Sequence, residues 1–311
     1  MTLIAPVLVC RIAGIILRKF EAGRVVIALA SKLVWLFPIG IIGSVIGISQ
    51  LVLFSYFAIL IFLQMPISTL LQSLYQIAGM IITPISNNFK LPSMENYTLK
   101  GDYILPFNGK WTVVNGGTSK ALSHAWSILP QRYAYDFIVV DDDGKSYSGD
   151  KKSVNNYYCY GKDIIAPADG VVVKLIDKHK DSFVDGINAY CDSSRIEGNS
   201  ITIKHNDSEY SVIAHILRGS FSVQIGEKVK QGDIIAKCGN TGNSSEPHIH
   251  FQLQAGKNFF LSAGLPVAFS NIKAQDKKNY SLLDKRTVVD NLQVVGNKSY
   301  IGRGLEVENN H

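Results

Sequence analysis

The chain has 311 residues, which is enough for two ordinary domains, and a formal net charge of +6. The charge is uneven, because five of the 31 basic residues precede Leu33 and only one acidic residue does. No later stripe of Lys and Arg is interleaved with aromatic residues, so a nucleic acid is not expected as a partner.

The first 86 residues are predicted to be a membrane-anchoring region of transmembrane helices. Residues 33–89 contain no Asp, Glu, Lys or Arg, and about 20 apolar residues are enough for one span. The segment Leu51–Leu63 offers only a serine and a tyrosine, so it lacks the polar face of a soluble helix. A further helix is expected from Ile67 to Ile82, and the number of crossings stays open. An odd number after the basic N-terminal stretch places the rest of the chain outside the cytoplasm.

Residues 87–102 are predicted to be a polar linker, and residues 103–270 a mostly β domain. Short apolar stretches separated by Gly, Asn, Asp and Pro, with no long helical pattern between them, favour an antiparallel β-sheet. The predicted strands are Trp111–Asn115, Ala134–Val140, Ile164–Ile165, Gly170–Ile176, Ser200–His205, Tyr210–Ile216, Val229, Ile234–Cys238 and His248–Gln254. The turn Asn206–Glu209 is expected to join two of them as a hairpin. Residues 271–311 are a C-terminal extension without an informative pattern.

The stretch Gly239–Leu253 combines a turn with a strand. Gly239–Asn243 is dense in residues that tolerate positive φ, and polar and apolar residues alternate from His248 onwards. Residues two apart in a strand point to the same face, so His248 and His250 are expected to project side by side. Two adjacent imidazoles on a polar face are metal ligands, a ligand with a general base, or a coincidence.

The four cysteines form no CxxC motif, so the sequence does not support a thiolate zinc site. Cys159 and Cys191 flank a polar segment, and they form a disulfide if this part of the chain is extracytoplasmic. The alternative is that they are two unrelated thiols. Cys238 is expected to be a small buried thiol, and His205, at the end of a hairpin strand, is expected to be structural.

Several stretches, taken in order, resemble the M23 (LytM/lysostaphin-type) zinc metallopeptidases. They are APADG, VVV, GNSITIKH, YSVIAHIL and GEKVKQGDIIAKCGNTGNSSEPHIHF, and the resemblance covers about half the chain, from Trp111 to Leu253. It implies an antiparallel β-sheet groove fold with one zinc ion in the floor of the groove. In this family the zinc is held by the His and Asp of an HxxxD motif and by the second His of an HxH motif.

The resemblance assigns metal binding to His124, Asp136 and His250, and catalysis to His215 and His248. One position departs from the family pattern. Arg132 stands four residues before Asp136, where the family has histidine, and a permanently protonated guanidinium does not bind zinc. The nearest replacement is His124, provided that the loop between it and Arg132 folds back. Otherwise His124 is a loop histidine and the zinc site is incomplete.

The function implied by the resemblance is that of a membrane-anchored zinc metalloendopeptidase that hydrolyses peptide bonds of peptidoglycan outside the bacterial cytoplasmic membrane. A catalytic zinc has three protein ligands and an open position, and it lowers the pKa of water to about 7. Two further imidazoles suit proton transfer and oxyanion stabilisation. The expected partners are a peptidoglycan peptide and, through the N-terminal region, membrane lipid. The competing interpretation, motivated by Arg132, is a catalytically degenerate M23/LytM-type domain that binds the wall or activates other wall hydrolases.

Overall fold

The structure is a computed structural model that describes residues 49, 52, 67–184 and 195–310. The chain divides into two compact units, Met1–Leu70 and Leu71–His311. The membrane crossings predicted before Ile67 lie almost entirely outside the described residues. Within the part of the chain that is described, no helix is long and apolar enough to cross a membrane.

The helix predicted from Ile67 to Ile82 is present as α1 (Ile67–Ser86). One side of α1 packs against the loop at Phe260, where a Cβ on Gly79 would lie 1.9 Å from the Phe260 carbonyl oxygen. Thr83 is fully buried on the same side of the helix. Large apolar side chains are exposed elsewhere on it, including Leu71, Leu74, Ile77, Ile81 and Ile85. The helix therefore presents an uncharged, apolar outer face.

The described residues form fifteen strands and a short second helix, α2 (Tyr280–Leu283). The strands are β1 (Trp111–Asn115), β2 (Tyr135–Ile138), β3 (Asp163–Ile165), β4 (Gly170–Ile176), β5 (Ser200–Asn206), β6 (Glu209–Ala214), β7 (Lys228–Val229), β8 (Ile234–Lys237), β9 (Ile249–Gln254), β10 (Gly264–Leu265), β11 (Phe269–Ser270), β12 (Ile272–Asp276), β13 (Leu292–Val295), β14 (Lys298–Ile301) and β15 (Leu305–Asn309). Single 3₁₀ turns occur at Leu129–Gln131 and Val154–Asn156.

Ten strands form one sheet in the order β12–β15–β1–β2–β9–β6–β5–β4–β7, with β10 paired to β9. Two smaller sheets have the orders β11–β14–β13 and β3–β8. The paired strands of the main sheet are antiparallel, which confirms the prediction of a mostly antiparallel β domain. The predicted hairpin is present as β5 and β6.

The core lies on the apolar side of the central strands. Ile249, Phe251 and Leu253 alternate along β9 and are fully buried, and they belong to one cluster with Trp111 and Phe107. Burial of each such side chain contributes about 1.5–3 kcal/mol. This packing fixes which face of β9 carries the alternate residues, including His250.

The main sheet continues beyond residue 270 into the C-terminal extension. β15 pairs with β1, with Trp111 opposite Val307, and β12 pairs with β15. The Asn309 side chain bonds to both the amide and the carbonyl of Leu105. The expectation that this extension has no regular pattern is wrong, because β15 buries alternate side chains at Leu305 and Val307.

The cysteines and His205 have structural environments. Cys159 and Cys238 are buried, and neither forms a disulfide with another described residue. The Cys159 Sγ lies 2.9 Å from the carbonyl oxygen of Pro247. Cys191 lies outside the described residues, so a bond to it stays a prediction. His205 contacts the Asp169 carbonyl and the Ser211 hydroxyl, each at 2.8 Å, as expected for a structural histidine.

Candidate metal and catalytic site

The register of β2 and β9 brings Asp136 and His250 together. The two residues are direct partners in the antiparallel ladder, so their side chains lie on the same face of the sheet. The His250 Nδ1 is 3.0 Å from the Asp136 Oδ1. Both side chains are almost fully buried. Ala214 on β6 is the partner of His250 on its other side, which places the end of β6 beside this pair.

His215 follows directly after β6 and turns the chain out of the strand. Its φ of 64° lies in the left-handed region, which is uncommon for a residue with a side chain and is often found at functional sites. Its amide donates to the Glu197 carbonyl at 3.1 Å. The His215 ring centroid lies 4.5 Å from that of His248 and 5.7 Å from that of His250. The three imidazoles therefore form one cluster.

The loop that carries His124 folds back onto the start of β2. The Ser123 hydroxyl donates to the Arg132 carbonyl at 2.8 Å, which closes the loop over nine residues of chain. The His124 Nδ1 then lies 3.6 Å from the Asp136 Oδ2. The folding back that ligation by His124 requires is thus present. The Arg132 guanidinium is engaged away from this cluster, 5.0 Å from the centre of the Trp126 ring.

These side chains lie at the base of a groove of about 450 Å³. The five predicted site residues line it, together with residues that include Asn115, Gln131, Glu197, Glu246, Phe259 and Arg286. His124 is the most exposed of the five, with 32% of its side chain accessible, against 6% for His250. The groove therefore has one open face and one buried face.

Backbone carbonyls hold His215 and His248, the predicted catalytic pair, in one orientation. The His215 Nδ1 lies 2.7 Å from the Thr241 carbonyl oxygen, and the His248 Nδ1 lies 2.8 Å from that of Glu246. A carbonyl only accepts hydrogen bonds, so each Nδ1 carries the proton and each Nε2 is left to act in the groove. The His248 Nε2 is 3.6 Å from the Asp136 Oδ1.

His250 has the opposite orientation. Its Nε2 lies 3.0 Å from the Gln252 Oε1 and its Nδ1 lies 3.0 Å from the Asp136 Oδ1. Both oxygens accept, so both ring nitrogens donate here, and a bound metal would take the place of the Nδ1 proton. A metal-binding histidine usually donates its other N–H to such an oxygen. Gln252 was not among the predicted site residues. The signal was available, because Gln252 is two residues after His250 on the same strand and must share its face.

Burial and mutual charge shift the ionisation of the cluster. Burial disfavours the ionised form of Asp136, but the His124, His250 and His248 imidazoles outweigh it and hold the pKa of its carboxyl well below the usual range. Burial, followed by the charges of His248 and His250, lowers the pKa of His215 well below its usual value. His215 is therefore neutral at physiological pH, and its Nε2 is able to accept a proton.

The donor set, two imidazoles and one carboxylate, suits a zinc ion in chemistry. Bonds of about 2.0–2.1 Å in a tetrahedron put neighbouring ligand atoms about 3.3 Å apart. The His250 Nδ1 lies 3.0 Å from the Asp136 Oδ1, and the His124 Nδ1 lies 3.6 Å from the other carboxylate oxygen, Oδ2. No group of three or more His, Cys, Asp or Glu side chains in the described residues is arranged as a ready-made metal site. Of the three predicted ligands, His124 lies on the partly exposed loop.

The comparisons with known proteins are consistent with this geometry. Residues 151–260 match the model of peptidase family M23. An uncharacterized metalloprotease of Buchnera aphidicola is 40% identical over 98 residues, which are 32% of this chain and 26% of that protein. Glycyl-glycine endopeptidase ALE-1 of Staphylococcus capitis is 36% identical over 80 residues, 25% of this chain and 18% of that protein.

A third relative carries a different function in its name. Murein hydrolase activator NlpD of Salmonella dublin is 33% identical over 123 residues, 40% of this chain and 28% of that protein. The chain thus spans about a quarter of the length of these relatives. The matched family segment contains His215, His248 and His250, whereas His124 and Asp136 precede it. The similarity to peptidase family M23 thus covers residues 151–260, about a third of the chain.

Proposed function

We propose that the chain is a zinc metalloendopeptidase that hydrolyses peptide bonds of peptidoglycan. The observation that carries the proposal is the orientation of the imidazoles around Asp136. His250 directs its Nδ1 to the carboxylate, while the carbonyls bound at Nδ1 of His215 and His248 leave both Nε2 atoms for the groove. On this basis we assign His215 and His248 to the substrate and His250 to the metal.

We assign the metal to His124, Asp136 and His250, which are two nitrogen donors and one oxygen donor. When bound there, zinc would lower the pKa of a water molecule to about 7 and polarise the scissile carbonyl. The neutral His215 is suited to accept the proton of that water through Nε2. His248, whose Nε2 lies nearer the carboxylate, is suited to donate a hydrogen bond to the developing oxyanion.

The substrate class follows from the groove and the relatives. A groove of about 450 Å³ holds a short extended peptide rather than a folded protein. Glycine and alanine residues suit it, because small side chains let the backbone approach the metal. The relatives named as an endopeptidase and as a murein hydrolase activator support a peptide of the cell wall as the substrate.

The proposal also places the protein at the bacterial cytoplasmic membrane, with the peptidase domain outside. Residues 33–89 carry no charged side chain, and α1 exposes an apolar face. Membrane lipid is the environment in which such a stretch is stable. Membrane fractionation followed by protease treatment of intact spheroplasts tests this placement. Cleavage of the domain without lysis supports it, and protection until lysis contradicts it.

The second candidate is a catalytically degenerate domain that activates other wall hydrolases. Arg132 at the family's histidine position favours it, as does the match to a murein hydrolase activator. A degenerate domain, however, has no need for the oriented pair His215 and His248. The two candidates differ in one measurable property, since only the enzyme releases new amino termini from peptidoglycan by itself.

The decisive experiment incubates the full chain, in detergent micelles with zinc, with purified peptidoglycan and quantifies new amino termini. We expect activity in the wild type and at least a 100-fold loss in His215→Ala and His248→Ala. The matched control is His205→Gln, which changes a half-buried histidine whose bonds to Asp169 and Ser211 lie outside the groove. Activity lost equally in all three variants overturns the assigned roles of His215 and His248. Activity absent from the zinc-loaded wild type rejects the enzyme.

A further inference from the structure

We propose that Arg286, from the C-terminal extension, is a positioning residue of the metal site and acts through Asn115 to hold the Asp136 carboxylate. The inference rests on the proposed function, because it concerns the same metal site. Arg286 and Asn115 both lie outside residues 151–260, the segment that matches the family.

A continuous chain of hydrogen bonds joins the three residues. The Arg286 guanidinium donates to the Asn115 Oδ1 at 2.8 Å. The Asn115 amide donates in turn to the Asp136 Oδ2 at 3.0 Å. The other carboxylate oxygen, Oδ1, faces the His250 Nδ1. Asp136 is therefore held from both sides, by a histidine on β9 and by an asparagine on β1.

The backbone explains why Asn115 faces this way. The ladder between β1 and β2 shifts register between Val113 and Asn115, and Asn115 becomes the partner of Asp136. Such an irregularity inserts an extra residue and re-aims the side chain that follows. The amide thus reaches the carboxylate from the end of β1.

The direction of each hydrogen bond between Arg286, Asn115 and Asp136 is fixed by the chemistry of the two outer groups. A guanidinium only donates and an ionised carboxylate only accepts. The asparagine side chain both donates and accepts. Because Arg286 donates to the Asn115 oxygen, the Asn115 NH₂ group faces Asp136. Without Arg286, the amide is free to rotate and present its oxygen to the carboxylate, which is repulsive. Arg286 thus selects the productive orientation of Asn115.

Arg286 is itself anchored. Its Nε donates to the Asp284 carboxylate at 2.8 Å, and it also contacts the Val114 carbonyl at 3.2 Å. Asp284 and Arg286 both line the groove. The outer partners of a metal ligand orient it and usually affect metal affinity by 10–100-fold. The C-terminal extension thereby becomes a part of the metal site rather than an appendage.

The test is a double-mutant cycle read out as zinc affinity, measured by competition with a chromophoric chelator on the full chain in micelles. We expect Asn115→Ala to weaken zinc binding by about 10–100-fold and Arg286→Ala by about 10-fold. Residues that act through one another are not additive. In the Asn115→Ala background, Arg286→Ala is therefore expected to cause no further loss.

The matched control is Lys277→Met. Lys277 also belongs to the extension and forms an ion pair of 2.9 Å with Glu306, without touching Asn115. The Lys277→Met change is expected to lower the unfolding midpoint of the protein and to leave its zinc affinity within twofold of the wild type. Folding of each variant is checked by near-ultraviolet circular dichroism.

The outcomes separate the inference from the proposed function. If Arg286→Ala lowers zinc affinity equally in both backgrounds, or in neither, the inference is overturned. The proposed function is unaffected by that result as long as the wild type binds zinc. A loss in Lys277→Met as large as that in Arg286→Ala also overturns it, because the effect is then one of stability. A wild type that binds no zinc overturns both.

Discussion

Asp136 on β2 and His250 on β9 stand directly opposite each other, and the His250 Nδ1 lies 3.0 Å from the Asp136 Oδ1. Because side chains alternate between faces, a slip of one residue in this ladder would send the imidazole to the other side of the sheet. The buried run of Ile249, Phe251 and Leu253 prevents that slip. Core packing and site geometry are therefore consequences of the same register.

Gln252 is predicted to tune the metal-binding nitrogen of His250. Gln252→Leu removes the Gln252 Oε1, which lies 3.0 Å from the His250 Nε2 and accepts its hydrogen bond. We expect zinc affinity to fall by about 10–100-fold, because the ring loses its fixed tautomer and orientation. Chelator competition measures the fall. Gln252→Glu, which keeps an acceptor, is the matched control, and equal affinities in the Leu variant and the wild type would contradict the role.

The left-handed backbone of His215 predicts a difference between two inactive variants. At φ 64°, a residue with a Cβ is strained by about 1–2 kcal/mol, whereas glycine is not. We expect His215→Gly to be more stable than His215→Ala by about 1 kcal/mol, with both inactive. Urea unfolding measures the difference. The control is Ala214→Gly, inside β6, which should lower the stability of the protein. A His215→Gly variant that is less stable than His215→Ala would contradict the proposed backbone strain.

Glu209 predicts how stability depends on pH. This buried carboxylate accepts hydrogen bonds from Tyr97, Lys100, Gly101, Tyr103 and Asn206. Burial alone would raise the pKa of Glu209, but bonds that include those from Lys100, Asn206, Tyr103 and Gly101 outweigh it and lower the pKa from its ordinary value of 4.5. The stabilisation is thus complete above pH 4.5 and is lost as the pH falls through the lowered pKa.

The variant that tests this pH dependence is Glu209→Gln. It should cost about 2–3 kcal/mol at pH 7, because hydrogen bonds to a charged acceptor are lost and an NH₂ group meets donors. The difference from the wild type should shrink as the pH falls below 4.5. Urea unfolding at several pH values provides the measurement. If the difference in free energy of unfolding between the wild type and Glu209→Gln stayed constant with pH, the ionised carboxylate would not be the source of the stabilisation.

The sequence was sufficient for strands β1 to β9, and for a physical reason. The hairpin of β5 and β6 and the strand after Gly239–Asn243 are local patterns of alternation and turn chemistry. The same alternation placed His248 and His250 together, although β9 begins only at Ile249. These features depend on neighbours in the chain, which a sequence displays directly.

Other parts of the site depend on contacts that are distant in sequence. His124 reaches Asp136 because Ser123 bonds to the Arg132 carbonyl, and nothing in the sequence marks that bond. Arg286 meets Asn115 across 171 residues. The strands of the C-terminal extension were missed because exposed, charged residues alternate with only a few apolar ones. Partners of this kind are set by how the sheet assembles.

The most direct test of the account is the zinc content of the purified full chain and of its His124→Ala variant, measured by mass spectrometry of the metal after dialysis. The account predicts one zinc ion per wild-type chain and a loss of most of it in the variant, since removal of one of three protein ligands leaves an incomplete site. A wild type without stoichiometric zinc would contradict the enzyme. A His124→Ala variant that keeps its full zinc would contradict the assignment of His124 as the third ligand.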